Sequence, residues 1–199
     1  MKIQEAVEVV MTVQLLRRKF TVDQYHKMIE SGILTADDRV QLIRGEIIEM
    51  SPIGTRHAAC VNRLNNLLIQ LLGKSVIVAV QNPVELDDSS EPQPDVALLK
   101  PRDDFYENAH PQPQDIYLLI EVADSTIQFD REVKIPLYAI ANIIVVWLID
   151  INEQTIEVYQ QPTATGYQQI QKFTRGETLV IPGFPNVTIT VDEIFGISL

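Results

Sequence analysis

The chain has 199 residues, 46% of them hydrophobic and 22% charged, with 16 basic against 27 acidic side chains and a net charge of -11. That length suits one domain able to bury about 70% of the surface its unfolded chain exposes, and the composition excludes a disordered chain. No apolar run approaches the roughly 20 residues that cross a bilayer, no basic-then-apolar leader opens the sequence, and the single Cys60 excludes an intramolecular disulfide or a cysteine metal cluster, so a cytoplasmic protein is expected.

Residues 1–19 end in Arg17-Arg18-Lys19 and fit an arm, an extra helix or a dimer element equally. The domain itself is expected over residues 20–199. Thr21-Val22-Asp23-Gln24 has the spacing of a capping box, and Tyr25, Met28, Ile29 and Ile33 follow at helical intervals, so a short helix is predicted to about Glu30, before Gly32. Arg39 to Met50 reads as a hairpin turning near Arg44-Gly45, with Glu46 just beyond the turn. From His57 the positions Val61, Leu64, Leu67, Leu68, Leu71 and Leu72 trace an amphipathic helix up to Gly73. Val76 to Val84 and Asp95 to Leu99 read as strands separated by an acidic loop. Lys100 to Gln114, with Pro101, Pro111 and Pro113, is a long connection of the kind that carries function, and base contact is one use for it. Ile116 to Ala123 is a third strand and Asp130 to Ala141 a helix, with Pro136 in its first turn or at a kink. Ile143 to Asp150 has the continuous apolar run of a strand covered on both faces. Antiparallel strands are expected over Thr155–Tyr159, Tyr167–Phe173 and Glu177–Ile181, and a short helix over Val191–Phe195. This order makes an α/β sheet with helices packed on it.

Chemistry concentrates on two strands and the helix after them. Asp95 opens one strand and Glu121 interrupts the apolar run of another, where an acid is costly unless its charge is compensated. A divalent metal is one compensation, since two carboxylates on neighbouring strands can share an ion that keeps room for water and a phosphate. The donor set offers oxygen and no thiolate, so Mg²⁺ is expected, with Mn²⁺ as a substitute. Lys134 would stabilise developing charge or orient the nucleophile. Two of the three also have a plainer explanation, Asp95 as the wet end of a strand and Lys134 as a surface ion pair with Asp130 four residues earlier, whereas Glu121 would need a partner if buried. His57, at the start of the long helix, could meet a phosphate or assist proton transfer, or simply face solvent. Glu46 would be a third acid acting through the metal's water shell, or a polar hairpin residue. His26 and His110 have no spacing that suggests zinc and read as structural. Cys60 reads as a small buried hydrophobe.

Across Leu42-Ile43-Arg44-Gly45-Glu46-Ile47-Ile48-Glu49-Met50, His57, Pro94-Asp95, Ile120-Glu121-Val122, Asp130 with Lys134, Trp147-Leu148-Ile149-Asp150 and Pro182-Gly183-Phe184, the sequence resembles the Uma-two family of restriction-endonuclease-like proteins, in the PD-(D/E)xK nuclease superfamily. The resemblance runs from about Phe20 to Phe195. It implies a restriction-endonuclease-like core of helix, three strands, helix and strand, with an extra N-terminal helix and hairpin and appended C-terminal strands. It also implies a magnesium site, DNA as substrate class, and Asp95 and Glu121 at the acidic motif positions. The superfamily motif puts lysine two residues after the second acid, where this chain has Ala123. In similar proteins the lysine moves to the next helix, which implies Lys134 for that role.

A metal-dependent DNA endonuclease, acting as a homodimer on two strands, is the function expected. The alternative is a catalytically inactive nucleic-acid or protein-binding module of the same fold, and RNA is a further candidate substrate. The net charge of -11 opposes any polyanion partner. Metal ions would offset part of it, as would Arg56, Arg63, Lys74, Arg102, Arg131 and Lys134 if they gathered on one face.

Overall fold

The structure, a computed structural model, describes residues 17–35 and 37–196. Of the N-terminal stretch, residues 1–16 therefore lie outside the described residues. Thr21 caps α1 (Val22–Glu30): its hydroxyl accepts from the Gln24 amide while the Gln24 side chain accepts from the Thr21 amide. The predicted hairpin forms as β1 (Val40–Ile43) and β2 (Glu46–Glu49). Its turn holds Arg44 at φ 50° and Gly45 at φ 76°, the two left-handed residues that a two-residue hairpin loop requires. A side chain at Gly45 would also collide with Lys19, whose Cβ would lie 2.8 Å from the new Cβ.

The amphipathic stretch folds as α2 (Thr55–Leu72) and buries Cys60, Val61, Leu64, Leu68 and Leu72. Burial pushes the Cys60 thiol up to about 12, which leaves it an inert packing group. The strand expected over 76–84 is shorter, β3 (Ile77–Val80), because Gln81 turns to φ 53° and Pro83 can donate nothing to a ladder. Next come β4 (Val96–Leu99) and β5 (Ile116–Ala123).

The helix expected from Asp130 begins earlier and is not uniform. A short α3 (Ile127–Phe129) leads into a π-helical turn over Asp130–Lys134 and then α4 (Ile135–Ile140). In the wide turn the Ile135 amide donates to the Asp130 carbonyl. Pro136 has no N–H and its ring would crowd the carbonyl of Glu132, so a wider turn directly before it relieves that clash.

Then follow β6 (Val145–Asp150), β7 (Thr155–Thr163), β8 (Gly166–Phe173), β9 (Thr178–Ile181), β10 (Phe184–Thr190) and α5 (Val191–Phe195). Sequence reading missed β10, which contains Pro185 and shifts register between Phe184 and Thr188 as it pairs with β9.

Six strands form one mixed sheet in the order β3-β4-β5-β6-β7-β8, with β5 and β6 parallel and the other neighbours antiparallel. The crossover between the parallel pair is the α3–α4 segment. Alternation along the strands splits the core in two. Val96, Leu98, Leu118, Ile120 and Val122 pack with α2, Trp147, β9, β10 and α5. Ala97, Leu99, Leu119 and Ala123 face the other way, against Ile135, Leu137, Tyr138 and Leu148. Glu121 has the parity of this second face, which puts its carboxylate under the α3–α4 segment. Among the described residues no helix is long and apolar enough to cross a membrane.

Candidate active site

The pairing of Val96 with Ile120 brings Asp95 beside Glu121 where the β4–β5 ladder ends. Above that end lies a cleft of about 680 Å³ between the hairpin, the N-terminus of α2 and the π-helical turn. Asp95, Glu121, Lys134 and His57 all line it. Glu46 does not. It sits at the hairpin turn with its carboxylate 2.7 Å from the Lys19 ammonium and 3.8 Å from Arg17. The 100–114 loop contributes nothing to the lining either. It is tied by its own contacts, with the Arg102 guanidinium on Asp104 and over the Tyr106 ring.

Asp95 is held from three sides. One oxygen accepts from the Val122 amide at 2.9 Å, and the other from Gln81 at 3.2 Å and faces His57 Nε2 at 3.0 Å. Burial opposes the charge of Asp95, but the His57 hydrogen bond and charge, the Val122 amide and Lys134 outweigh it and keep the carboxyl below its ordinary range. The same hydrogen bond raises His57 above the ordinary histidine range against the pull of burial. His57 Nδ1 is buried with no hydrogen-bond partner among the described residues, so one ring nitrogen remains uncommitted.

The signs of these shifts set a pH window. A raised His57 adds stability that is complete below its unfolded pKa and lost as pH rises through the folded one. A lowered Asp95 adds stability that is present above its unfolded pKa and lost as pH falls through the folded one. The pair thus stabilises most between the two. A proton NMR titration is expected to place His57 above free histidine, and Asp95→Asn to bring it back. A His57 resonance titrating at the free value in both proteins would break the pairing.

Glu121 and Lys134 are deeper, 2% and 5% exposed. The ammonium lies 3.0 Å from both oxygens of Glu121 and 3.4 Å from the Gln93 carbonyl, and the Tyr138 hydroxyl donates to the same carboxylate. Burial nevertheless pushes Glu121 up to about 8. Asp130, 4% exposed, accepts from the Thr126 hydroxyl at 2.7 Å, and burial raises its pKa as well. Burial disfavours the charge of Lys134, but Glu121, Asp130 and Asp95 together hold its pKa above the ordinary range. The i to i+4 surface ion pair that the sequence suggested for Asp130 and Lys134 does not describe either residue. Both are buried, and Lys134 takes Glu121 instead.

Sequence reading also missed Tyr138, Gln81, Gln93 and Glu49 as cleft or supporting residues. Only Tyr138 had a local signal, since Asp130, Lys134 and Tyr138 recur every four residues and so share one helical face.

Charge in the cleft is lopsided. Glu49, Asp95, Glu121, Asp124 and Asp130 line it against the permanent cations Arg39 and Lys134. Of the basic residues that were to gather on one face, only Lys134 lines the cleft, and three others pair with acids. Arg56 lies 3.5 Å from Asp124, Arg102 2.5 Å from Asp104 and Arg131 2.9 Å from Glu157. The acids lining the cleft are hard oxygen donors that outnumber its cations, and burial disfavours the charge of Glu121 and Asp130, so the residues fit a small divalent ion of the Mg²⁺ class.

The Uma2 family profile, described as "Putative restriction endonuclease", matches residues 22–192. The chain belongs to the Uma2 family. A solved structure described as a putative nuclease belonging to DUF820, from Anabaena variabilis ATCC 29413, superposes on this Uma2 chain with a TM-score of 0.68 at 18% identity, covering 88% of this chain and 97% of the other. The mixed sheet with its flanking helices is the restriction-endonuclease-like fold expected from the motifs. No curated protein matches the chain. Family and fold together support a nuclease.

Proposed function

We propose that this Uma2 protein is a metal-dependent DNA endonuclease that hydrolyses phosphodiester bonds in the cleft between the hairpin and the sheet. The observation that carries the reading is the excess of acid there: Asp95, Glu121 and Asp130 converge around a single buried ammonium, that of Lys134. Asp95 and Glu121 are the ligands proposed for Mg²⁺, with Mn²⁺ able to replace it. Such an ion, when bound, activates water and relieves charge on the phosphoryl oxygens.

The chain's own groups do the rest. Lys134, already charged and fixed by Gln93 and Glu121, stabilises charge that develops on the phosphate. Tyr138 holds Glu121 in place from beneath. His57 orients Asp95 through Nε2 and keeps Nδ1 for a proton or a phosphate oxygen. The N-terminus of α2, opening on the cleft at Gly54, favours an anion in the same place. A cytoplasmic homodimer would present two such clefts to the two strands of a duplex.

One observation favours the non-cleaving alternative. With a net charge of -11 and Arg56, Arg102 and Arg131 each paired to an acid, the protein offers little basic surface to a polyanion. The two readings separate in one experiment: the full chain is incubated with plasmid DNA and with structured RNA in Mg²⁺, Mn²⁺ or chelator. DNA cleavage in either metal and none in chelator is expected. Divalent binding without cleavage of either nucleic acid would hand the case to the binding module, and cleavage of RNA alone would change the substrate.

A further inference from the structure

His26, Glu91 and His110 lie outside the lining of the cleft and come from three separate segments: α1, the stretch between β3 and β4, and the 100–114 loop. One ligand atom from each falls within 4.8 Å of the other two. His26 Nε2 is 2.8 Å from a Glu91 oxygen, and the two imidazoles stand edge to face with centroids 5.9 Å apart. Glu91 is 3% exposed, whereas the His26 side chain is 37% exposed. The group is therefore anchored inside and open on one side.

We infer that His26, Glu91 and His110 form a binding site for one divalent transition-metal ion of the zinc class, separate from the cleft, with its remaining position open to water. Two imidazoles and one carboxylate are a donor set for zinc, cobalt or nickel rather than for magnesium, which prefers oxygen alone. Tetrahedral zinc with bonds of about 2.0–2.2 Å spaces its ligand atoms roughly 3.3 Å apart. The His26–Glu91 contact, at 2.8 Å, is shorter than that and no spacing among the three atoms exceeds 4.8 Å, differences within the reach of side-chain rotation.

The backbones that carry the ligands are already fixed. Glu91 exchanges amide and carbonyl bonds with Leu42 at 2.8 and 3.3 Å, the Val22 amide donates to the Asp88 carbonyl at 2.8 Å, and the Glu85 amide donates to the Pro111 carbonyl at 2.9 Å. An ion here would fasten α1 and the long loop to the stretch whose Gln93 carbonyl faces Lys134. A buried carboxylate, which burial raises in pKa despite His26 and His110, would gain its missing countercharge.

The test uses the full chain, stripped with chelator and titrated with Co²⁺ and then Zn²⁺, in the wild type and in Asp95→Asn to silence the cleft. One equivalent of Co²⁺ with the visible absorption of a low-coordinate nitrogen–oxygen site is expected in both proteins, displaced by Zn²⁺ and accompanied by a higher thermal midpoint. Loss of an outer partner costs a metal site 10–100-fold, so His26→Gln and His110→Ala, each losing a ligand, are expected to weaken binding about 100-fold or more. His110→Ala alters a loop side chain and is the variant to trust if Glu91→Gln fails to fold. Absence from the wild type of an ion with that absorption, its survival in His110→Ala, or its loss in Asp95→Asn would each overturn the site.

Discussion

Asp95→Asn is expected to lower metal-dependent cleavage by roughly 10²–10³-fold or more and to weaken Mg²⁺ binding in the cleft, while the fold persists. The change is isosteric. Asn still offers an oxygen to the Val122 amide, which holds the native carboxylate at 2.9 Å. What disappears is the charge, and with it the reason for His57 to stay protonated, so the proton inventory of the site changes along with its affinity for a cation. Calorimetric titration with Mg²⁺ beside a plasmid-cleavage assay reads both. A variant that cut DNA at the wild-type rate would remove Asp95 from the chemistry and, with it, the proposed mechanism.

Lys134→Met should have the largest effect on stability. The ammonium is the partner of a carboxylate that is 2% exposed, and removing one member of a buried pair costs about 3–5 kcal/mol because the other is left uncompensated. The pH dependence has a definite sign. Glu121 is already pushed up to about 8 and Asp130 is also raised, and without the lysine both rise further. A carboxyl whose folded pKa exceeds its unfolded one is destabilising from the unfolded pKa upward, so the deficit must grow with pH. Urea denaturation of wild type and variant at pH 5 and pH 8 is expected to show a larger difference at pH 8. Equal stability at pH 8, or a deficit that grows on acidification, would mean that the lysine does not compensate buried acids. Cleavage should fall as well, since among the described residues no other cation is buried beside Glu121.

How far such a site can be read from sequence depends on whether its signal is local. Glu121 stood out because it breaks an apolar run, and the strand that carries it is buried along its length. α2 was legible in its periodicity, and Gly73 marks its end as expected. Lys134 was legible only by its order after the two acids. Its i to i+4 relation with Asp130 argued for a surface pair, and that argument assumed a regular α-helix, whereas a π-turn spans those very residues. Contacts between distant segments left no trace. His26 meets Glu91 across 65 positions, and neither spacing nor composition could announce it. Glu46 shows the converse: adjacency to a conspicuous turn drew attention to an acid whose partners are Lys19 and Arg17. The strand β10 was hidden by Pro185, which an edge position with a shifted register tolerates.

The two sides of the cleft rest on foundations of different size. The acids and Lys134 belong to the sheet and the segment above it, backed by the two large cores. The hairpin opposite leans on a small buried group, Val22, Tyr25 and Leu42, with Ile43 its only fully buried reach into a larger core. Segments with few buried contacts open at a free-energy cost below that of global unfolding. Amide hydrogen exchange is therefore expected to run faster in the hairpin, whose ties to its neighbours are backbone bonds such as Leu42 to Glu91 and Gly45 to Ser89, than in β4 and β5 beneath the cleft.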